Sequence, residues 1–172
     1  MALPTDDAYL RTLAERVRRD DFATAETLAL AEEAVAVFPG SPRLWCWRGD
    51  LIQISDGDDL YELDDARKSY EQALVLDPDN AQALARLGHF YDAVAPDAAL
   101  AEQFFLRAIA QGAGPSAFLS LAEAYLESGR AQDALALLAP DQCPHLSDPE
   151  IVHLRDKAAA LIASTGPEGS RE

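Results

Sequence analysis

The amino-acid sequence predicts an all-α protein, on the evidence of its composition and its hydrophobic pattern. Alanine, the strongest helix former, makes up about a fifth of the 172 residues. Apolar residues recur at spacings of three and four along nine segments, and glycine and proline concentrate between them. The nine predicted helices cover residues 5–18, 21–38, 41–54, 60–76, 81–94, 97–111, 115–128, 131–139 and 148–164. Because the gaps are short, we expect antiparallel helix hairpins.

Helix-breaking residues separate most of the predicted helices. The main breakers are Pro39 to Pro42, Asp56-Gly57, Asp77-Pro78-Asp79-Asn80, Gly112 to Pro115, Gly129, and Pro140 to Pro144. The last helix follows Ser147, which we expect to cap it, with Pro149 in the first turn and Glu150 completing a capping box. Residues 165–172 have nothing apolar to bury, so we expect a disordered tail there.

The chain is strongly acidic. Its 30 Asp and Glu against 14 Lys and Arg give a formal net charge of −16, and such a field repels phosphate backbones and anionic lipid surfaces. The longest stretch without a charge, Ala108 to Ala122, is too short to span a bilayer and is interrupted by glycine and proline. We therefore expect neither a nucleic-acid partner nor a membrane partner.

Two features favour a cytoplasmic protein. Asp6 and Asp7 stand where a secretory signal would carry cations, and no long apolar run follows them. The two cysteines, Cys46 and Cys143, are too few and too far apart for a disulfide framework or a zinc motif, so we expect free thiols. The abundance of alanine and the preference for arginine over lysine suggest a GC-rich bacterial genome.

A repeat of about 34 residues predicts the architecture. The first helix of each repeat carries large and small residues in one order: Trp45, Gly49 and Ile52, then Leu84, Leu87, Gly88 and Tyr91, then Phe118, Leu121, Ala122 and Tyr125. The second helices carry, on one face each, Ala66, Tyr70 and Ala73, then Ala101, Phe105 and Ala108, then Ala134 and Leu138. Small residues let two backbones approach closely while the large side chains fill the space beside the contact.

These motifs resemble the tetratricopeptide repeat, through Leu84-x-x-Leu87-Gly88-x-x-Tyr91 and its counterparts and through Asp77-Pro78. The resemblance covers residues 41–140 and implies a right-handed superhelical stack of antiparallel helix hairpins, with the first helices lining the concave face. It implies one domain over residues 1–164. The expected parts are a degenerate hairpin at 1–40, repeats at 41–80, 81–114 and 115–144, and a capping helix at 147–164.

The sequence departs from the repeat pattern at three places. Arg48 stands where a buried leucine is usual, and Leu138 replaces the aromatic residue of the third repeat. The first repeat also carries extra residues between Ser55 and Leu63. This insertion is acidic, but Asp58 and Asp59 lie in the wrong register for a calcium-binding loop. We expect a solvated loop that binds no metal.

The sequence contains one cluster of soft metal ligands, Cys143, His145 and His153, with Glu150 close by. Their spacing is not a common zinc pattern, but a metal- or ligand-binding enzyme accessory is retained as an alternative function. No nucleophile motif, glycine-rich phosphate loop or paired zinc-binding histidines occur in the sequence. We therefore predict a chain that is not an enzyme and uses no cofactor.

The resemblance also implies which side chains face a partner. The implied positions are Arg43, Cys46, Trp47 and Asp50, then Gln82, Ala85, Arg86 and His89, then Ser116, Leu119, Ser120 and Glu123. The predicted groove consists of nine of them: Arg43, Trp47, Asp50, Gln82, Arg86, His89, Ser116, Ser120 and Glu123. Trp47 would anchor an apolar segment, and Arg43 and Arg86 would add a preference for acidic character. Alternatively, both arginines pair with neighbouring carboxylates and Trp47 packs on the N-terminal hairpin.

These features predict an adaptor or scaffold that binds a peptide or helical segment of another protein in its groove. A bacterial secretion chaperone of the translocator type is the alternative with the same fold, because such chaperones are also small, acidic and built of these repeats.

Overall fold

The structure, a computed structural model, describes residues 5–55 and 61–164. In these two ranges the chain forms nine α-helices and no strand, apart from one isolated bridge between Ala23 and Ser55. The helices are α1 (Asp6–Asp20), α2 (Ala25–Val37), α3 (Pro42–Gln53), α4 (Leu63–Leu76), α5 (Ala81–His89), α6 (Ala98–Ala110), α7 (Pro115–Glu127), α8 (Ala131–Leu137) and α9 (Pro149–Ser164). The predicted all-α class is confirmed, and each described helix overlaps one predicted segment, although α1 runs past its predicted end at residue 18 to Asp20.

Two predicted helix ends differ most from the structure. The second helix is predicted from residue 21, whereas α2 begins at Ala25. Asp21 adopts a left-handed φ of 63°, which ends α1, and Thr24 accepts a hydrogen bond that caps α2. The fifth helix is predicted to residue 94, whereas α5 ends at His89 and the chain continues as a π-helical turn, Phe90–Val94. Local backbone geometry therefore shortens both helices.

Polar side chains begin several of the helices. Those that accept a backbone N–H of the first turn are Thr5, Thr24, Asn80 and Asp97. The predicted cap of the last helix, Ser147, is wrong by one residue. Asp148 takes that position, because its Oδ1 accepts the backbone N–H of Glu150 at 2.9 Å. A carboxylate there also interacts favourably with the positive end of the helix dipole.

Glycines on the first helices receive aromatic rings from the second helices. The Tyr70 ring of α4 occupies the space that a side chain at Gly49 of α3 would need. The Phe105 ring of α6 does the same at Gly88 of α5. Both rings are completely or almost completely buried. In these two hairpins, the small and large residues of the sequence pattern therefore form the close contact between the first and the second helix.

The helices form a stack in chain order. Helices α3 and α4 pack extensively on each other, as do α5 and α6, and each hairpin packs on the next. At the C-terminal end, α9 packs on α7 and α8 and buries Ile151 and Leu154 against Phe118 and Leu138. The predicted solenoid of helix hairpins with a capping helix is thus confirmed.

Arg48 occupies a largely buried position, where polar groups surround its guanidinium. Its Nε lies 2.7 Å from Oε1 of Glu32 on α2, and its side chain is only 15% exposed. The guanidinium also donates to the hydroxyl of Ser69 on α4 and lies over the ring of Tyr61. Arg48 therefore connects α2, α3 and α4 with hydrogen bonds where the repeat pattern would place an apolar contact.

The acidic insertion lies mostly outside the described residues, because the described ranges omit residues 56–60. Its expected solvation and lack of metal stay predictions. At its start, the backbone N–H of Ala23 donates to the carbonyl of Ile54 at 3.0 Å, which ties the end of α3 to the turn between α1 and α2. Within the described ranges, every helix falls short of the length and apolar character that crossing a bilayer requires.

Candidate functional site

Two open clefts are lined by residues of α3, α5 and α7. The first, here called the N-terminal cleft, has a volume of about 420 Å³. Its lining residues are Val17, Trp47, Asp50, Gln53, Ile54, Arg86 and His89. The second, the C-terminal cleft, has a volume of about 500 Å³ and lies between α7 and α9. It is lined by Ser116, Leu119, Ser120, Glu123, Pro149, Glu150, His153 and Leu154.

The structure brings seven of the nine predicted groove residues to these two clefts. Trp47, Asp50, Arg86 and His89 line the N-terminal cleft, and Ser116, Ser120 and Glu123 line the C-terminal cleft. The other two, Arg43 and Gln82, are exposed and lie outside both linings. Most of the positions that the resemblance implies therefore lie at one of the two clefts.

An ion pair joins α3 and α5, two of the helices that line the N-terminal cleft. Nη2 of Arg86 donates to Oδ2 of Asp50 at 3.0 Å, and the hydroxyl of Tyr70 donates to Oδ1 at 2.9 Å. Nε of Arg86 is 2.7 Å from the carboxylate, yet its N–H is not directed at an acceptor among the described residues. Burial lowers the pKa of Arg86, but the adjacent Asp50 carboxylate outweighs it and raises the pKa overall. Asp50 thus joins α3 to both α4 and α5.

His89 lies between the two clefts. Its Nδ1 is 3.3 Å from the hydroxyl of Ser120 on α7, and the centroids of the His89 and Phe105 rings are 5.0 Å apart in an edge-to-face arrangement. Burial, followed by the nearby charge of Arg86, lowers the pKa of His89 below its ordinary value. The neutral imidazole therefore predominates at neutral pH, and it contributes hydrogen bonding instead of charge.

The structure favours the alternative interpretation of the two arginines. Arg43 pairs with Asp7 of α1 at 2.8 Å, with both side chains more than half exposed. Arg86 is neutralised by Asp50 as described above. Trp47 is half-buried and packs against the N-terminal core cluster, while part of its ring still lines the cleft. The sequence-based reason for an acidic partner is therefore removed, because neither arginine has its charge free.

Two of the implied partner-facing positions are instead buried. Ala85 is 9% exposed, and Cys46 is completely inaccessible, with its Sγ 3.9 Å from Oδ1 of Asn80. Burial, together with the negative charge of Asp50, raises the pKa of Cys46 to about 12. Cys46 lies in a cluster with Ala73 and Ala83 and belongs to the contact between hairpins.

The predicted soft-ligand cluster does not form a metal site. Cys143 is buried, and Nε2 of His145 is 3.3 Å from the carbonyl of Ala113. His153 is exposed on α9 and lines the C-terminal cleft. Among residues 5–55 and 61–164, no three His, Cys, Asp or Glu side chains are grouped so that they could hold a metal ion. The positions of these three residues therefore lend no support to a metal-binding accessory.

Sequence reasoning missed the contribution of α9 to the second cleft. Glu150, His153 and Leu154 all line it, although α9 is predicted only to cap the stack. Their spacing of three and four places them on one helix face, and that spacing is visible in the sequence. What the sequence does not show is that this face lies opposite Leu119 and Glu123 of α7.

Comparison with known proteins supports the repeat assignment. Residues 59–92 match the family model for the TPR repeat, a segment that spans α4 and α5. The sequence has no significant match among curated proteins.

Solved structures share the fold of this chain. The crystal structure of PilW, described as a widely conserved type IV pilus biogenesis factor, has a TM-score of 0.70 and 21% sequence identity. The match covers 95% of this chain and 78% of that chain. A crystal structure of the MamA protein has a TM-score of 0.62 and 17% identity, covering 96% of this chain and 98% of that chain. The chain therefore carries a tetratricopeptide repeat within a TPR-like solenoid fold.

Proposed function

We propose that the chain is a protein-interaction scaffold that binds a peptide or helical segment of another protein across its two clefts. The observation that supports this most directly is the grouping of seven predicted side chains at two neighbouring clefts. Trp47 and Ile54 in one cleft and Leu119 and Leu154 in the other offer apolar surface, and polar groups surround it. Recognition sites commonly combine apolar contact area with a few placed polar groups.

The clefts are also joined. The hydrogen bond between His89 and Ser120 links the α5 wall of the N-terminal cleft to the α7 wall of the C-terminal cleft. One extended segment or one helix that lies over α5 and α7 would therefore be able to contact both clefts. Binding in a groove of this kind uses alternate or helically spaced anchor side chains.

A dedicated assembly or secretion chaperone is a second candidate function. It is favoured by the likeness to PilW, described as a pilus biogenesis factor, over 95% of this chain. At 21% identity this is an analogy of fold, and function depends on the site. The cytoplasmic location expected from the sequence stays a prediction; the buried free thiols Cys46 and Cys143 are consistent with a reducing compartment.

Site-specific photo-cross-linking tests the proposal. A benzoylphenylalanine replaces Trp47 in the N-terminal cleft or Ser116 in the C-terminal cleft, and the variants are irradiated in cells that express the chain. The control replaces Val75 on α4, which is 74% exposed and lines neither cleft. We expect one partner to be cross-linked from both cleft positions and not from Val75. Cross-linking of that partner from Val75 alone would place the binding surface elsewhere.

A further inference from the structure

The two clefts differ in charge. In the N-terminal cleft the two charged residues, Asp50 and Arg86, form an ion pair and cancel each other. In the C-terminal cleft the two charged residues are both carboxylates, Glu123 and Glu150. Neither carboxylate has an ion pair or a side-chain hydrogen bond among the described residues. The groove is therefore neutral at one end and negative at the other.

The negative cleft also has an apolar part. Leu119 of α7 and Leu154 of α9 line it together with Pro149. Among the described residues of this lining, His153 is the only basic one. Glu123 and Glu150 are exposed, so they keep their hydration in the free protein and are available to an incoming cation. The cleft thus combines aliphatic surface with two uncompensated negative charges.

Given the proposed function, on which this inference rests, we propose that the C-terminal cleft binds a lysine or arginine that stands beside an aliphatic residue in the partner segment. The aliphatic residue, together with the methylene stem of the basic one, packs on Leu119 and Leu154. The ammonium or guanidinium group approaches Glu123 and Glu150. The N-terminal cleft, with its neutral wall and its aromatic Trp47, receives an apolar side chain of the same segment.

The net charge of −16 also favours a basic partner segment. A basic segment is attracted at long range by the whole protein, and the C-terminal cleft then fixes its position at short range. This reverses the acidic preference that the sequence suggests, because that preference required Arg43 and Arg86 to be free and both are paired.

Selection from a phage library of random twelve-residue peptides tests the inference. Enriched peptides are synthesised with a fluorescent label and titrated against the full chain. We expect enrichment of lysine or arginine next to leucine, isoleucine or valine. The double variant Glu123→Gln and Glu150→Gln should weaken binding about fivefold, as the loss of two exposed charge pairs implies.

A control variant distinguishes the effect of the cleft carboxylates on affinity from the effect of the overall negative charge. Asp79→Asn with Asp156→Asn removes the same number of negative charges from exposed positions outside both linings, and it should change the affinity less than twofold. Two outcomes would overturn the inference and leave the proposed function standing. In the first, enriched peptides bind Trp47→Ala less tightly than wild type but contain no basic residue. In the second, both charge variants reduce the affinity for the peptides equally. If no peptide is enriched, both the inference and the proposed function are overturned.

Discussion

Gly88 of α5 lies directly against the ring of Phe105 on α6. A Cβ atom at Gly88 would stand 2.6 Å from Cδ1 and from Cε1 of that ring, closer than real carbon atoms approach. Gly49 and Tyr70 have the same relationship one hairpin earlier. The aromatic ring therefore fills the space that a side chain at the glycine would need, so a larger residue at either glycine must displace the ring.

The first prediction concerns this contact. Gly88→Leu places a bulky side chain where the Phe105 ring lies, so we expect the free energy of unfolding to fall by about 1–3 kcal/mol or more. Urea denaturation followed by circular dichroism measures the change. Gly40→Ala is the matched control, because a Cβ at Gly40 meets nothing within 4 Å and should change stability by less than about 0.5 kcal/mol. Equal midpoints for Gly88→Leu and wild type would show that this contact is not tight.

These close contacts could be predicted from the sequence, whereas the charge pairs could not. Glycine and aromatic positions recur with the helical period, and residue size is visible in the sequence. The partner of a charge depends on which helices become neighbours, and Asp50 and Arg86 are 36 positions apart. The same holds for the C-terminal cleft, where Glu123 and Glu150 come from helices separated by all of α8.

The second prediction concerns Arg48. Arg48→Ala removes the hydrogen bonds to Glu32 and Ser69 and leaves a cavity, so we expect a loss of about 1–3 kcal/mol in unfolding free energy. Arg48→Leu should lose less, because leucine fills the space and replacing a partly buried ion pair by apolar packing is often nearly neutral. Glu32 is 40% exposed and can be hydrated once its partner is gone. Equal losses for the two variants in urea denaturation would contradict this account.

The third prediction concerns the pH dependence that Cys46 adds to stability. Burial raises the pKa of Cys46 to about 12, whereas the unfolded thiol ionises near its ordinary value of about 8.5. Its contribution to stability is complete below pH about 8.5 and is lost as the pH rises toward the folded value. Between pH about 8.5 and 10, where most tyrosines have not yet ionised, stability should therefore fall less steeply in Cys46→Ala than in wild type. Urea denaturation at several pH values measures how steeply the unfolding free energy of each protein falls with pH. Equal slopes for wild type and Cys46→Ala would contradict a raised pKa for Cys46.

The last prediction separates the roles of the two tryptophans. Trp45 is structural: its Nε1 donates to the carbonyl of Pro39 at 2.9 Å, and Trp45→Phe should cost about 1 kcal/mol of stability through loss of that hydrogen bond. Trp47 also packs on the core, but part of its ring lines the N-terminal cleft. Trp47→Ala should therefore weaken binding of the selected peptides by about 2 kcal/mol or more, because a buried aromatic anchor is a typical hot spot.

Circular dichroism shows whether each variant is folded, and fluorescence titration with the same labelled peptide gives its affinity. Trp45→Phe should bind within about twofold of wild type, since its contact lies outside the cleft. A folded Trp47→Ala that binds as tightly as wild type would mean that the partner segment does not use this cleft.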